Sequence, residues 1–66
     1  MPKTIYELAQ MLSRRDGISV EAELVAIRDC IKDIECAIFD GNYDEVELIL
    51  REDLGLEPDY LDILIF

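Results

Sequence analysis

The sequence predicts an all-α fold: a compact three-helix domain with a short fourth C-terminal helix, formed by residues 1–66. Hydrophobic residues make up 52% of the chain, which is more than a disordered acidic tail contains. These residues recur at the spacing of amphipathic helices, and a glycine follows each of three such runs, where helices commonly end. A chain of 66 residues is so short that we expect a single domain with a small core.

The first helix is predicted from about Thr4 to Arg15. Thr4 and Glu7 have the spacing of a capping box, in which their side chains bond free amides at a helix start. Gly17 is expected to end the helix in a left-handed conformation, and Ile18 to make the hydrophobic contact of a Schellman motif. The apolar positions follow helical spacing: Ile5, Leu8, Ala9 and Leu12.

The second helix is predicted to begin after the N-cap residue Ser19 and to run to about Phe39, before Gly41. Its main core stripe is expected to contain Val20, Leu24, Ile27, Ile31, Ile34 and Ile38. A flanking strip of small side chains favours close approach of another helix: Ala26, Cys30 and Ala37. Val25 and Cys36 lie opposite the stripe, so we expect them to be exposed.

The third helix is predicted over Tyr43–Leu54. Asn42 and Glu45 again have capping-box spacing, and Gly55 with Leu56 repeats the glycine-plus-apolar terminator. The apolar face of this helix is predicted to contain Tyr43, Val46, Leu50 and Leu54.

The fourth helix is predicted to start at Pro58, which is a favourable first helical residue, and to continue to Phe66. The segment Ile63–Phe66 is apolar on all sides. We expect it to fold back as a fourth wall of the core; otherwise it is an exposed patch for dimerisation or docking.

The net charge of −10 lies entirely in the second half of the chain. Residues 1–32 carry five acids and five bases, whereas residues 33–66 carry eleven acids and one base, Arg51. Glu47 is spaced to form an ion pair with Arg51 on a helix. This asymmetry favours a surface that repels polyanions and attracts basic partners.

We therefore predict a non-enzymatic interaction module that docks its acidic half on a basic protein surface. The residues assigned to this partner-binding surface are Asp44, Glu45, Glu47, Glu52, Asp53, Glu57 and Asp59. Three alternatives remain open: a solvated face that only confers solubility, an inhibitor or DNA mimic acting on a nucleic-acid-binding enzyme, and a structural homo-oligomer built through the apolar C-terminal residues.

Catalysis is not expected from this composition. The chain has no histidine, and neither Ser13 nor Ser19 has a base to activate it. Sixteen acidic residues place some carboxylates side by side in any fold, so such pairs do not indicate acid–base catalysis. A chain this short also has little room for a substrate pocket.

No cofactor or metal site is predicted. One segment matches the first three ligand positions of a calcium-binding loop: Asp40, Asn42 and Asp44. That match fails at Glu45, where the loop requires glycine, and at Arg51, where it requires a bidentate glutamate.

The two cysteines, Cys30 and Cys36, lie on one predicted helix at a spacing that prevents a mutual disulfide. Cys30 is expected in the core and Cys36 at the surface. Residues 1–4 lack the apolar segment of a secretory signal, and no run is long enough to span a membrane. These observations favour a reducing, cytoplasmic setting with no membrane contact.

The first two helices form a helix-turn-helix arrangement, but direct nucleic-acid binding is not expected. The second helix opens with Glu21 and Glu23, where DNA readers place cationic or amide side chains. Phosphate contacts also require lysine and arginine, which are scarce here.

Two linked segments resemble small acidic proteins of unknown function from bacterial genomes and their mobile elements: Phe39-Asp40-Gly41-Asn42-Tyr43-Asp44-Glu45 and Leu54-Gly55-Leu56-Glu57-Pro58-Asp59-Tyr60-Leu61. The resemblance implies a bacterial or phage-like setting and no activity.

Overall fold

A computed structural model describes residues 2–65 and contains three long α-helices followed by a short fourth. The helices are α1 (Ile5–Asp16), α2 (Val20–Phe39), α3 (Tyr43–Leu54) and α4 (Leu61–Ile65), and a 3-10 turn, Pro58–Tyr60, precedes α4. No strand occurs within residues 2–65. The predicted all-α three-helix domain is thus confirmed; the predicted last residue of the fourth helix, Phe66, lies outside the described residues.

Side-chain caps begin the first two helices, but the reciprocal bond of the predicted Thr4–Glu7 capping box, from the Thr4 amide to the Glu7 carboxylate, is not found within residues 2–65. The Thr4 hydroxyl accepts a hydrogen bond from the Glu7 amide at 3.1 Å, and the Ser19 hydroxyl accepts one from the Ala22 amide at 3.1 Å. The capping box predicted for Asn42 and Glu45 is wrong, because the Asn42 side chain makes no cap bond. Asn42 has φ −91° and ψ 58°, unlike the extended backbone that aims a capping side chain at the helix.

The two glycine-plus-apolar terminators behave differently. Gly17 (φ 72°) and Gly55 (φ 65°) both end a helix in the left-handed conformation that glycine adopts without strain. Leu56 after Gly55 is only 5% exposed, whereas Ile18 after Gly17 is 47% exposed. The predicted contact at Ile18 is therefore wrong: the three-residue turn between α1 and α2 leaves it at the surface, while Leu56 joins the core.

The core lies where α1 and α3 both pack on α2. The buried residues of α2 form one line along the helix, separated alternately by four and three positions: Glu23, Ile27, Cys30, Ile34 and Ala37. This line is rotated by about 60° from the predicted stripe. Helices approach most closely over small side chains, and Cys30 and Ala37 accordingly belong to the buried line itself and not to a flanking strip. Four stripe residues are only half-buried: Val20, Leu24, Ile31 and Ile38.

The C-terminal segment folds back on the core, as expected. Leu64 is 7% exposed and belongs to the buried cluster. The half-buried side chains that pack against that cluster include Leu61, Ile63 and Ile65. Residues 61–65 are therefore a wall of the core; Phe66, the last residue of the predicted apolar segment, lies outside the described residues.

Arg15 joins the end of α1 to the end of α3. Its guanidinium donates to the Leu54 carbonyl at 2.6 Å and to the Gly55 carbonyl at 3.2 Å. A third hydrogen bond, at 2.7 Å, holds the guanidinium against the Asp16 carboxylate. The last carbonyls of a helix have no partner within the helix and carry partial negative charge. Arg15 thus caps α3 from 39 residues away in the sequence.

Replacing Arg15 with glutamine is expected to lower the free energy of unfolding by about 1 kcal/mol, because the α3 carbonyls lose a charged donor. Thermal denaturation measures the loss. Arg14→Gln is the matched control, since it removes the same charge from an exposed neighbour for which no hydrogen bond is found within residues 2–65. Equal losses in the two variants would show that the Arg15 bridge contributes nothing beyond its charge.

Candidate protein-interaction site

A groove runs between α3 and the segment that follows it. Four of its lining residues lie on one face of α3, at positions i, i+3, i+4 and i+7: Asp44, Glu47, Leu48 and Arg51. The opposite wall is Gly55, Leu56, Glu57 and Pro58. We call this feature, of about 440 Å³, the acidic groove.

Local sequence determines the second wall of the acidic groove. The left-handed conformation of Gly55 reverses the chain at the end of α3, and burial of Leu56 anchors the returning segment. Glu57 is then extended, with φ −76° and ψ 158°, before Pro58 starts the 3-10 turn. This path places the exposed Glu57 side chain beside the Asp44 face of α3.

The charge in the acidic groove is predominantly negative. It contains three exposed carboxylates, those of Asp44, Glu47 and Glu57, and a single cation, Arg51. The predicted Glu47–Arg51 ion pair is not formed: within residues 2–65 the salt bridge found is Arg15–Asp16. Leu48, 40% exposed, supplies apolar surface between the charges. The groove therefore offers carboxylates and hydrocarbon together.

Of the seven residues predicted for the partner surface, three line the acidic groove, two lie beside it and two lie elsewhere. Asp44, Glu47 and Glu57 line the acidic groove. Glu45 and Glu52 are exposed on the adjacent outward face of α3, which helical geometry places beside the groove.

Asp53 and Asp59 lie elsewhere. Asp59 is in the 3-10 turn. Asp53 lies at the α2 edge of α3, where partial burial and then the neighbouring Asp33 raise the pKa of its carboxyl. Asp53 therefore faces Asp33 of α2 and not the acidic groove.

The two cysteines differ in their exposure to solvent. Cys30 is buried and Cys36 exposed, as predicted, and both are free. Burial, followed by Asp53 and Asp33, raises the pKa of the Cys30 thiol to about 11, so this thiol is protonated at neutral pH and a poor nucleophile. No cluster of three or more metal-ligating side chains is found within residues 2–65.

Glu23 is a buried acid, although its sequence position at the start of α2 indicates only a charge that opposes DNA binding. It is 3% exposed, and its Oε2 has no hydrogen-bond partner. Burial raises the pKa of Glu23, and the nearby Asp16 raises it further, while Arg15 opposes both. The hydrogen bond from Arg15 lowers the pKa of Asp16. The spacing of the sequence indicates this burial: Glu23 lies four residues before Ile27 and seven before Cys30, on the buried line of α2.

Glu23→Gln is expected to raise the free energy of unfolding at neutral pH by about 1 kcal/mol, because a buried charge without a full set of partners is removed. The pKa of Glu23 is higher in the folded state. The protonated Glu23 side chain therefore stabilises the fold fully below the unfolded-state pKa, and this contribution is lost as pH rises through the folded-state pKa.

The two proteins should consequently be similar at acidic pH and diverge as pH rises towards neutrality. Urea denaturation over that pH range measures the difference, with the exposed Glu21→Gln on the same helix turn as control. A constant difference at every pH would contradict the assignment of the effect to ionisation of Glu23.

Among the described residues, 2–65, no helix has the length and apolar character needed to cross a membrane. Comparison with protein-family models, with curated proteins and with solved structures finds no match to this chain.

Proposed function

We propose that this protein is a non-enzymatic interaction module whose acidic groove binds a basic segment of a partner protein. The observation that carries the proposal is the placement of Asp44, Glu47 and Glu57 around the apolar surface of Leu48 in one groove. Complementary charge accelerates encounter and selects the partner. Apolar contact in the same groove adds affinity that salt does not screen.

A segment with lysine or arginine on either side of an aliphatic residue fits this arrangement best. Its cations would meet the three carboxylates, and its aliphatic side chain would cover Leu48 and Pro58. Arg51 in the same groove offers a donor for a backbone carbonyl or an acidic side chain of the partner. The cytoplasm is the proposed location, because two free cysteines are typical of a reducing compartment.

Inhibition of a nucleic-acid-binding enzyme is the second candidate. Glu45 and Glu52 extend the negative surface of α3 beyond the groove, which favours competition for a site that binds phosphates. The apolar Leu48 and the cation Arg51 within the groove distinguish it from a phosphate backbone, so we place peptide-like recognition first.

The proposal is tested by affinity capture from a nuclease-treated lysate of the source organism, washed at low and then at high salt. A basic protein that elutes as salt rises is the expected result, because salt screens exposed charge pairs. Capture whose yield does not change at all with salt, or recovery of the protein itself alone, would contradict the proposed role of the carboxylates. If the captured protein binds DNA, saturating it with this chain should block that binding only in the inhibitor case.

A further inference from the structure

Asp16 and Glu23 bring two carboxyl groups together at the junction of α1 and α2. Asp16 is the last residue of α1, and Glu23 lies in the first turn of α2 with only 3% of its surface exposed. The two carboxyl groups lie within hydrogen-bonding reach of each other. We call them the carboxyl pair. Because an ionised carboxylate accepts hydrogen bonds but cannot donate one, the pair forms its own hydrogen bond only while one of the two carries a proton.

The proton of the carboxyl pair belongs on Glu23. Asp16 already accepts hydrogen bonds from Arg15 Nε at 2.7 Å and from Arg15 Nη2 at 3.2 Å, which hold Asp16 in its ionised form and lower its pKa. Glu23 Oε2 is buried and has no hydrogen-bond partner, and burial, followed by Asp16, raises the pKa of Glu23. A protonated Glu23 donates to Asp16 and leaves no charge in the interior.

Arg15 connects the carboxyl pair to the acidic groove. The guanidinium that holds Asp16 also donates to the Leu54 carbonyl at 2.6 Å and to the Gly55 carbonyl at 3.2 Å. Gly55 belongs to the wall of the acidic groove that lies opposite α3. While Glu23 is protonated, hydrogen bonds therefore run from it, through Asp16 and Arg15, to the backbone of that wall.

We propose that protonation of Glu23 holds this wall of the acidic groove in place and that loss of the proton releases it. When Glu23 gives its proton to water, two carboxylates lie side by side and repel each other. Arg15 is the cation that acts on both, and a carboxylate is a stronger acceptor for it than a carbonyl. Arg15 then turns towards Glu23, so the carbonyls at the end of α3 lose their donor and the segment that follows α3 loosens.

The charges around Glu23 come from α1. Asp16 and Arg15 are the ionisable groups that act on Glu23, and Tyr60 of the 3-10 turn acts in turn on Arg15. A phenol stays neutral over the pH range in which carboxyl groups titrate. From the end of α3, the groups that meet Arg15 are backbone carbonyls, which do not titrate. Ionisation of Glu23 is therefore the event that changes the charge at this junction.

NMR spectroscopy of the full chain without a partner tests this inference independently of the proposed function. The Glu23 carboxyl carbon gives the midpoint of its titration, and the backbone amides of Gly55 and Leu56, the wall amides, should shift with that same midpoint. The Leu56 amide bonds to the Leu50 carbonyl. Its protection against hydrogen exchange should fall by about 10-fold as Glu23 ionises, because the wall loses a hydrogen bond from a charged group. The Gly41 amide, at the opposite end of α2, should keep its protection.

Three variants separate Glu23 from the other acids of the chain. Glu23→Gln keeps the shape of the protonated acid and can donate to Asp16, so the wall amides should lose the transition at the Glu23 midpoint. Glu21→Gln, which alters an exposed acid on the same helix turn, should behave as the wild type. Arg15→Gln should leave Glu23 titrating while the wall amides no longer follow it. Wall amides that do not follow Glu23 in the wild type, or that keep this transition in Glu23→Gln or Arg15→Gln, would overturn the proposal.

Discussion

Leu50→Ala is expected to lower the free energy of unfolding by about 3 kcal/mol and the melting temperature by roughly 10–25 °C. Leu50 is 0% exposed and lies midway along α3, the helix with the most extensive contact on α2. Truncation removes hydrocarbon from the core and leaves a cavity. A domain of this length has a total stability of roughly 3–10 kcal/mol, so the variant is expected to be close to unfolded at 37 °C.

Leu48→Ala is the matched control for that prediction. It makes the same chemical change two residues earlier on the same helix, but Leu48 is 40% exposed. Its expected cost is within about 0.5 kcal/mol. Thermal denaturation followed by circular dichroism measures both variants, and similar losses for Leu48 and Leu50 would show that the orientation of α3 is different from the one described.

Reversing the three carboxylates of the acidic groove is expected to weaken partner binding by about 100-fold. The variant combines Asp44→Lys, Glu47→Lys and Glu57→Lys. Each reversal replaces an attraction by a repulsion at an exposed site, at about 1 kcal/mol each, and about 3 kcal/mol corresponds to a factor of about 100. Titration of the captured partner by isothermal calorimetry measures the change.

The control variant changes the net charge by the same amount at other sites. Glu7→Lys, Glu21→Lys and Asp62→Lys alter three exposed acids outside the acidic groove. This control should bind within a few-fold of the wild type, since distant exposed charges are screened at physiological salt. If both triple variants lost binding equally, net charge and not the groove would determine recognition.

The helix boundaries could be predicted from sequence because they depend on residues close together in the chain. Ser19 and Gly41 bracket α2 almost to the residue, and Gly55 ends α3 where predicted. The centre of the α2 core could not be predicted in the same way. Periodicity identifies an apolar sector of a helix, but the close packing of α1 and α3 on α2 places Cys30 and not Ile31 at its centre.

The sequence predicts which part of the chain supplies the acids of the candidate site, but not which of those acids lie together in the acidic groove. The charge asymmetry identified α3 and its flanks as the acidic surface. Which acids share a groove depends on the reversal at Gly55, which returns Glu57 to the Asp44 side and leaves Asp53 facing α2. Arg15 bonds to the carbonyls of Leu54 and Gly55, which lie 39 and 40 residues further along the sequence. No local sequence pattern can therefore predict this bridge.

Site-specific photo-crosslinking most directly tests whether the acidic groove is the partner site. A photoreactive aromatic residue is placed at Leu48, in the groove, and separately at Tyr6, an exposed position on α1 outside it. Irradiation in cells should yield an adduct from position 48 whose crosslinked peptide, identified by mass spectrometry, contains lysine or arginine next to an aliphatic residue. Adducts formed equally from position 6, or an acidic crosslinked peptide at position 48, would contradict the proposed role of the groove.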